Sequence, residues 1–283
     1  MRFWLGLIPS LALLACRPAP SEPNEYQKNG FYPQPQDLKT PETLLVQERN
    51  GQPFYTASAF LIEKERGIFA TAKHFVENIG GEEFKIFVNK KVYRGVTAVT
   101  PAISDAAFIN IRGAFKVDEL PIPYKLSDEQ KLKIGDTVRV KGLHVHPPFL
   151  QMDKILIGII RGYYGMPWAK AEFVFDDLEA KVSNLAKEVK NKDIKGTSKG
   201  FDFISNTYIE VTTAEDHQFS FGGLSGGPVV DAQGRVIGLV AAGFEGGLIT
   251  DGFHVIYTPW KVIYVTPVKE LQKLMALLLV DEK

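Results

Sequence analysis

Ser225 sits in the run Gly223-Leu224-Ser225-Gly226-Gly227-Pro228, where flanking glycines let backbone amides crowd an anion beside the hydroxyl. Such a setting presents a serine as a nucleophile. At neutral pH a serine hydroxyl needs help: an imidazole must take its proton during attack and return it to the leaving group, and a carboxylate must fix the tautomer of that imidazole. Both types occur upstream. His74 closes the apolar stretch Ile68-Phe69-Ala70-Thr71-Ala72-Lys73, and Asp105 precedes the apolar stretch Ala106-Ala107-Phe108-Ile109. A tetrahedral oxyanion needs donors as well, which the N–H groups of Gly223 and Ser225 can supply, each worth about 3 kcal/mol of barrier.

Taken alone, each residue has a plainer reading. Gly/Ser clusters are ordinary turns, a histidine on an apolar run can be a satisfied core residue, and an aspartate before a strand is a common turn or cap residue. The joint order histidine, aspartate, serine, each at a strand end, is what sets the chemical reading above these. A Gly-x-Ser-x-Gly run also marks the α/β-hydrolases, but there a helix follows the serine and the acid and histidine come after it. Here Gly226-Gly227-Pro228 and β-branched residues follow. Asp231 or Asp251 with His254 would have to fill those roles, with too little chain for that fold.

The three segments together resemble the trypsin-like serine proteases of the chymotrypsin fold, in the style of the bacterial HtrA/DegP protease domains. Further segments carry the likeness: Ala57-Ser58-Ala59-Phe60-Leu61-Ile62 before the histidine, Lys133-Ile134-Gly135-Asp136-Thr137-Val138, Gly158-Ile159-Ile160, the hairpin Pro228 to Gly238, and Thr266-Pro267-Val268-Lys269-Glu270-Leu271 opening a closing helix. The resemblance implies His74 as general base, Asp105 as its orienting partner, Ser225 as nucleophile, and protein or peptide substrates. It also implies an all-β fold of two six-stranded antiparallel barrels with the site between them. No PDZ domain is expected. The rival reading is a catalytically silent relative that binds peptides or envelope partners, and retention of all three residues favours the enzyme.

The resemblance further implies a primary specificity pocket with Phe219 at its floor and Ala241, Ala242 and Gly243 on one wall. Phe219 carries no charge, so a buried Lys or Arg would lack a partner, while an apolar side chain gains about 1.5–3 kcal/mol on burial. Cleavage after small or medium apolar residues is expected. Leu224 stands where digestive relatives have an aspartate that pairs with a freshly cut amine. Activation by N-terminal trimming is therefore not expected.

Short β-branched and aromatic runs predict strands at about 43–48, 54–62, 67–72, 84–88, 91–99, 106–111, 136–142, 154–160, 207–212, 228–231, 235–242 and 254–258. Residues 42–283 form one protease domain on this reading, with an insertion over about 163–205. Leu178, Val182, Leu185 and Val189 recur there at helical spacing, with Asp176 or Asp177 placed to cap a helix and Gly196 beyond its end. A surface helix is predicted, a lid or docking element being the alternative, with Tyr163, Tyr164, Trp168 and Phe173 as its core or as groove lining.

Lys plus Arg and Asp plus Glu each number 33, so charge gives no reason to expect nucleic acid or an anionic surface as partner. The amino terminus points to a membrane in another way. Met1-Arg2 precedes an apolar run from Phe3 to Leu14, too short to span a bilayer and suited to a secretory signal. Leu13-Leu14-Ala15-Cys16 resembles a bacterial lipobox, which implies a signal peptide over 1–15, a lipid on Cys16 and attachment to the cell envelope. Arg17 rather than Asp leans towards an outer-membrane destination where the host has two membranes. The alternative is a plain signal peptide containing a cysteine. Residues 16–41 are rich in proline and polar residues and read as a solvated tether. Cys16 is the only cysteine, so no intramolecular disulfide staples the domain. His144 and His146 alternate as a two-ligand metal pair would, but no third ligand lies nearby; they read as loop histidines, and His217 and His254 as structural. No phosphate loop or zinc motif appears, and neither metal nor cofactor is expected.

Overall fold

Short runs rich in Val, Ile, Phe and Thr, broken by turn residues, make up most of the computed structural model, which describes residues 42–49, 52–80, 83–89, 91–101, 104–128, 131–146, 172–188, 207–217, 221–244, 247–250, 255–258 and 260–280. Six strands form the first barrel: β1 (Glu42–Arg49), β2 (Gln52–Glu63), β3 (Ile68–Thr71), β4 (Phe84–Val88), β5 (Lys91–Val99) and β6 (Ala107–Arg112). They pair antiparallel in the order β1-β2-β3-β6-β5-β4, and β1 closes on β4. Leu45, Leu61, Phe69, Phe75, Ile86 and Ile109 fill its interior.

The second barrel is built from β7 (Thr137–His146), β8 (Glu172–Glu188), β9 (Thr207–His217), β10 (Pro228–Val230), β11 (Val236–Phe244) and, after the small sheet of β12 (Gly247–Thr250) and β13 (Val255–Thr258), β14 (Trp260–Pro267). Its order is β10-β11-β14-β9-β8-β7, and β10 closes on β7. Among the described residues two α-helices lie outside the barrels, α1 (Lys73–Asn78) and the closing helix α2 (Val268–Val280). Leu271, Leu274 and Leu278 recur on one face of α2 and pack on Phe60, Ile68 and Phe108 of the first barrel and on Val230, Val236 and Leu239 of the second. Burial of each such leucine contributes about 1.5–3 kcal/mol, so α2 clamps the barrels together. The connecting chain adds to this, with Tyr124 N donating to Leu61 O at 2.9 Å and Val236 N to Lys125 O at 2.8 Å.

The expected two-barrel, all-β architecture with a closing helix is what the structure has. One expectation is overturned. Residues 176–188 are not a helix but the body of β8, paired with β7 on one side and β9 on the other. A spacing of four residues is close to one helical turn and equally two strand repeats, so Leu178 and Val182 satisfy both periods. Ala180 between them is buried with Val182, completing the inner face of a strand, while Leu185 is 38% exposed. Asp176 caps nothing; it lies within β8, buried. The proposed insertion thus contains a barrel strand, and its remainder, 163–171 and 189–205, lies outside the described residues. So do the predicted strand at 154–160, Tyr163, Tyr164, Trp168, Val189, Gly196, His254 and residues 1–41. Among the described residues no helix is long and apolar enough to cross a membrane.

Candidate active site

Strand register brings histidine and aspartate together. β3 and β6 pair with Thr71 opposite Ala107, so the residues just after β3 and just before β6 leave the sheet side by side. His74 falls in the first turn of α1, where backbone N–H groups lack helical partners. Asp105 uses this: His74 N donates to Asp105 Oδ1 at 2.9 Å, while His74 Nδ1 lies 2.8 Å from Asp105 Oδ2. An ionised carboxylate only accepts, so the imidazole proton belongs on Nδ1, and Nε2 presents a lone pair. His74 and Asp105 are 8% and 5% exposed, which strengthens the pairing by excluding water. From the other barrel, Thr266 Oγ1 donates to Asp105 O at 3.2 Å.

The serine side depends on backbone shape. Leu224 N donates to Phe221 O at 3.1 Å and Gly227 N to Leu224 O at 2.8 Å, folding residues 221–227 into consecutive tight turns. Gly223 and Gly226 take φ of +99° and +85°, values that side chains disfavour. Gly226 has a second reason to be glycine: a Cβ there would stand 2.2 Å from Ser58 O and 2.8 Å from Ala72 N. The residue after the candidate nucleophile is thus pressed against the chain two residues before His74. Ser58 N donates to Ser225 O at 2.8 Å, a second tie between the barrels. Among the described residues the Ser225 hydroxyl makes no hydrogen bond, and main-chain contacts such as these bring the serine loop against the chain that leads into His74. The amides of Gly223 and Ser225 likewise donate to no described group.

Of the expected pocket residues, Ala241, Ala242 and Gly243 lie on β11, the first buried and the others partly exposed; Phe219 lies outside the described residues. Gly243 faces Phe221, whose ring would come within 2.5 Å of a Cβ at that position. Phe221 stacks on His217 with centroids 5.0 Å apart and meets Trp260 edge-on at 6.2 Å. His217 Nε2 lies 3.3 Å from Asp176 Oδ2. Leu224 is fully buried in the second core. The side chains of His144 and His146 are outside the described residues, though their backbone lies in β7. Among the described residues no three His, Cys, Asp or Glu side chains gather as a metal site.

Ser58, Thr266 and Phe221 are the site-region residues that sequence reasoning passed over. A polar residue inside an apolar run was the available signal for the first two: Ala57-Ser58-Ala59 and Tyr264-Val265-Thr266. Phe221 offered none.

A family model described as the trypsin-like peptidase domain matches residues 57–239. No curated protein matches the chain. Among solved structures, the chain is similar to the crystal structure of Rv3671c protease, inactive form, at 17% identity and a TM-score of 0.49, covering 84% of this chain and 88% of that one. The family model spans well over half of the chain, from β2 through the serine loop into β11, and on that ground the protein belongs to the trypsin-like peptidase domain family.

Proposed function

We propose that this protein is a serine endopeptidase of the bacterial cell envelope, akin in style to HtrA/DegP protease domains, working through Ser225, His74 and Asp105. The observation that carries the reading is the buried His74–Asp105 pair at 2.8 Å, with a glycine-shaped serine loop packed against the chain that leads into that histidine. Attack by Ser225 Oγ on a peptide carbonyl passes its proton to His74 Nε2, while Asp105 stabilises the imidazolium through Nδ1. The carbonyl oxygen becomes an oxyanion facing Gly223 N–H and Ser225 N–H. Collapse of the adduct expels the amine, which takes the proton back from His74, and leaves an acyl-Ser225. Water, activated by the same histidine, then releases the carboxylic acid.

Ala241, Ala242, Gly243 and Phe219 would shape a pocket for small or medium apolar side chains, and profiling cleavage in a peptide library tests this, dominant cleavage after Lys, Arg or Glu counting against it. Residues 1–15 act as a lipoprotein signal on this reading, Cys16 carries the lipid and residues 16–41 tether the domain of residues 42–283. Cys16→Ser should then leave the membrane fraction or remain unprocessed. For the activity itself the decisive experiment is labelling of the purified chain with a fluorophosphonate probe. The modified peptide should contain Ser225, and Ser225→Ala should abolish both labelling and hydrolysis. A folded protein that hydrolyses peptides undiminished after Ser225→Ala, or that takes no label, overturns the proposal and leaves a binding module.

A further inference from the structure

Ser58 belongs to the first barrel, on β2, and its side chain is fully buried. Its hydroxyl nevertheless works for the second barrel. It accepts from Leu143 N on β7 at 2.8 Å, and it lies 2.9 Å from Gly223 O and 3.1 Å from Leu143 O as potential acceptors. One proton serves one strong bond at a time, and the shorter contact is to Gly223. The Ser58 amide meanwhile donates to Ser225 O at 2.8 Å. A single residue of the first barrel thereby holds the carbonyls of Gly223 and Ser225, on either side of Leu224.

This matters because Gly223 has no side chain to restrict it. Its φ of +99° lies where glycine alone is at ease, and among the described residues its carbonyl receives a bond from Ser58 and from no other group. The Gly223-Leu224 peptide carries that carbonyl together with Leu224 N, which donates to Phe221 O at 3.1 Å, and its setting fixes the angle between the preceding peptide, which bears Gly223 N–H, and the following one, which bears Ser225 N–H. The space around the hydroxyl is also closed. A Cβ on Gly142 of β7 would stand 2.7 Å from Ser58 Oγ and 3.0 Å from Leu224 Cδ2, so a side chain there has to push the hydroxyl aside.

We propose that Ser58 is a positioning residue for the oxyanion donors, its hydroxyl locking the Gly223-Leu224 peptide so that Gly223 N–H and Ser225 N–H converge on the developing charge. This rests on the serine endopeptidase reading above. Ser58 touches no substrate, so its removal should weaken transition-state stabilisation while leaving ground-state binding intact.

The test compares wild type, Ser58→Ala, Gly142→Ala and Tyr124→Phe in the full chain, using a peptide substrate, a peptide aldehyde of matching sequence and the corresponding non-reactive peptide alcohol. With the aldehyde, Ser225 Oγ bonds to the carbonyl carbon, the C=O electron pair moves to oxygen and the serine proton passes to His74. The adduct therefore reports on the oxyanion donors. Ser58→Ala should lose about ten- to hundredfold in kcat with KM little changed. Affinity for the aldehyde should fall in step with kcat, and affinity for the alcohol should hold. Gly142→Ala, which displaces the hydroxyl without deleting it, should show the same split and serves if Ser58→Ala does not fold. Tyr124→Phe removes a bond to Glu42 away from the loop and should lower Tm with kcat retained. Wild-type kcat in both Ser58→Ala and Gly142→Ala, or equal loss of aldehyde and alcohol affinity, overturns the role of Ser58 and leaves the peptidase reading standing. An unlabelled, inactive wild type removes both.

Discussion

The two barrels close in the same six-stranded way, yet they hold their parts of the site by different physics. In the first, side chains do the fixing: Asp105 receives two hydrogen bonds from His74, one from the ring and one from the backbone. In the second, conformation does it: Gly223 and Gly226 at positive φ shape the turns around Ser225, and the loop is tied down at its own carbonyls, with no side chain of its own taking part. Each half also leans on the other. Ser58 of the first barrel holds the serine loop, and Thr266 of the second holds the backbone of Asp105. Substitutions around His74 and Asp105 should therefore act through proton chemistry, and those around Ser225 through loop shape, whichever barrel supplies the residue.

Asp105→Asn strikes hardest at the proton chemistry. An amide nitrogen presented to His74 would favour the wrong tautomer, and kcat should fall about ten-thousandfold while the barrel stays folded. Steady-state hydrolysis together with circular dichroism checks this. A folded Asp105→Asn protein within tenfold of wild-type kcat would break the account of the first barrel.

Gly226→Ala attacks shape instead. The new methyl meets a backbone carbonyl, Ser58 O, at 2.2 Å, and the residue would have to keep φ near +85°. Both penalties oppose folding, together about 2–4 kcal/mol, and relief requires the serine loop to lift from the first barrel. Activity should be lost along with stability, read as a fall in both denaturant midpoint and fluorophosphonate labelling. Full labelling with unchanged stability would show that the two barrels do not meet as closely here as the contact implies.

Residue types were legible in the sequence and shape was less so. Order along the chain singled out His74 and Asp105, which meet at 2.8 Å, and β-rich runs with turn residues between them suffice for two barrels. β8 was misread because Leu178 and Val182 fit two periods at once, and only its pairing with β7 and β9 decides between them. Ser58 and Thr266 escaped because their roles depend on partners 165 and 161 residues away in the chain, a distance over which local patterning carries no information.

Thr266→Val tests the smaller of the two cross-barrel ties. Valine keeps the volume and loses the hydroxyl, leaving Asp105 O without its donor at a fully buried position. Loss of such a bond costs about 1 kcal/mol, enough for roughly a fivefold fall in kcat if the carboxylate shifts with its backbone. Measured kcat should drop with KM retained. Equal kcat in the two proteins would mean that the first barrel orients Asp105 unaided.

The smallest effect belongs to the hairpin between β10 and β11, inside the shape-governed barrel but carried by a side chain. Asp231 Oδ1 accepts from Gln233 N and Arg235 N, each at 2.9 Å, and Oδ2 accepts from Arg235 Nε at 2.9 Å and from Ser127 Oγ at 3.2 Å. Burial alone would raise the carboxyl pKa, but the Arg235 and Gln233 bonds outweigh it and hold the group below its ordinary value. A depressed folded pKa means that the ionised form stabilises the fold above the unfolded value of about 3.9, and that this contribution disappears as pH falls through the folded value. Asp231→Asn should therefore lower Tm by about 2–4 °C near neutrality, and the gap to wild type should narrow in acid below about pH 4. Calorimetry across that range decides it, with kcat at neutral pH expected to be the same in both proteins. A Tm gap that stays constant into strong acid would mean that hairpin geometry, and not the charge of Asp231, is what stabilises this end of the second barrel.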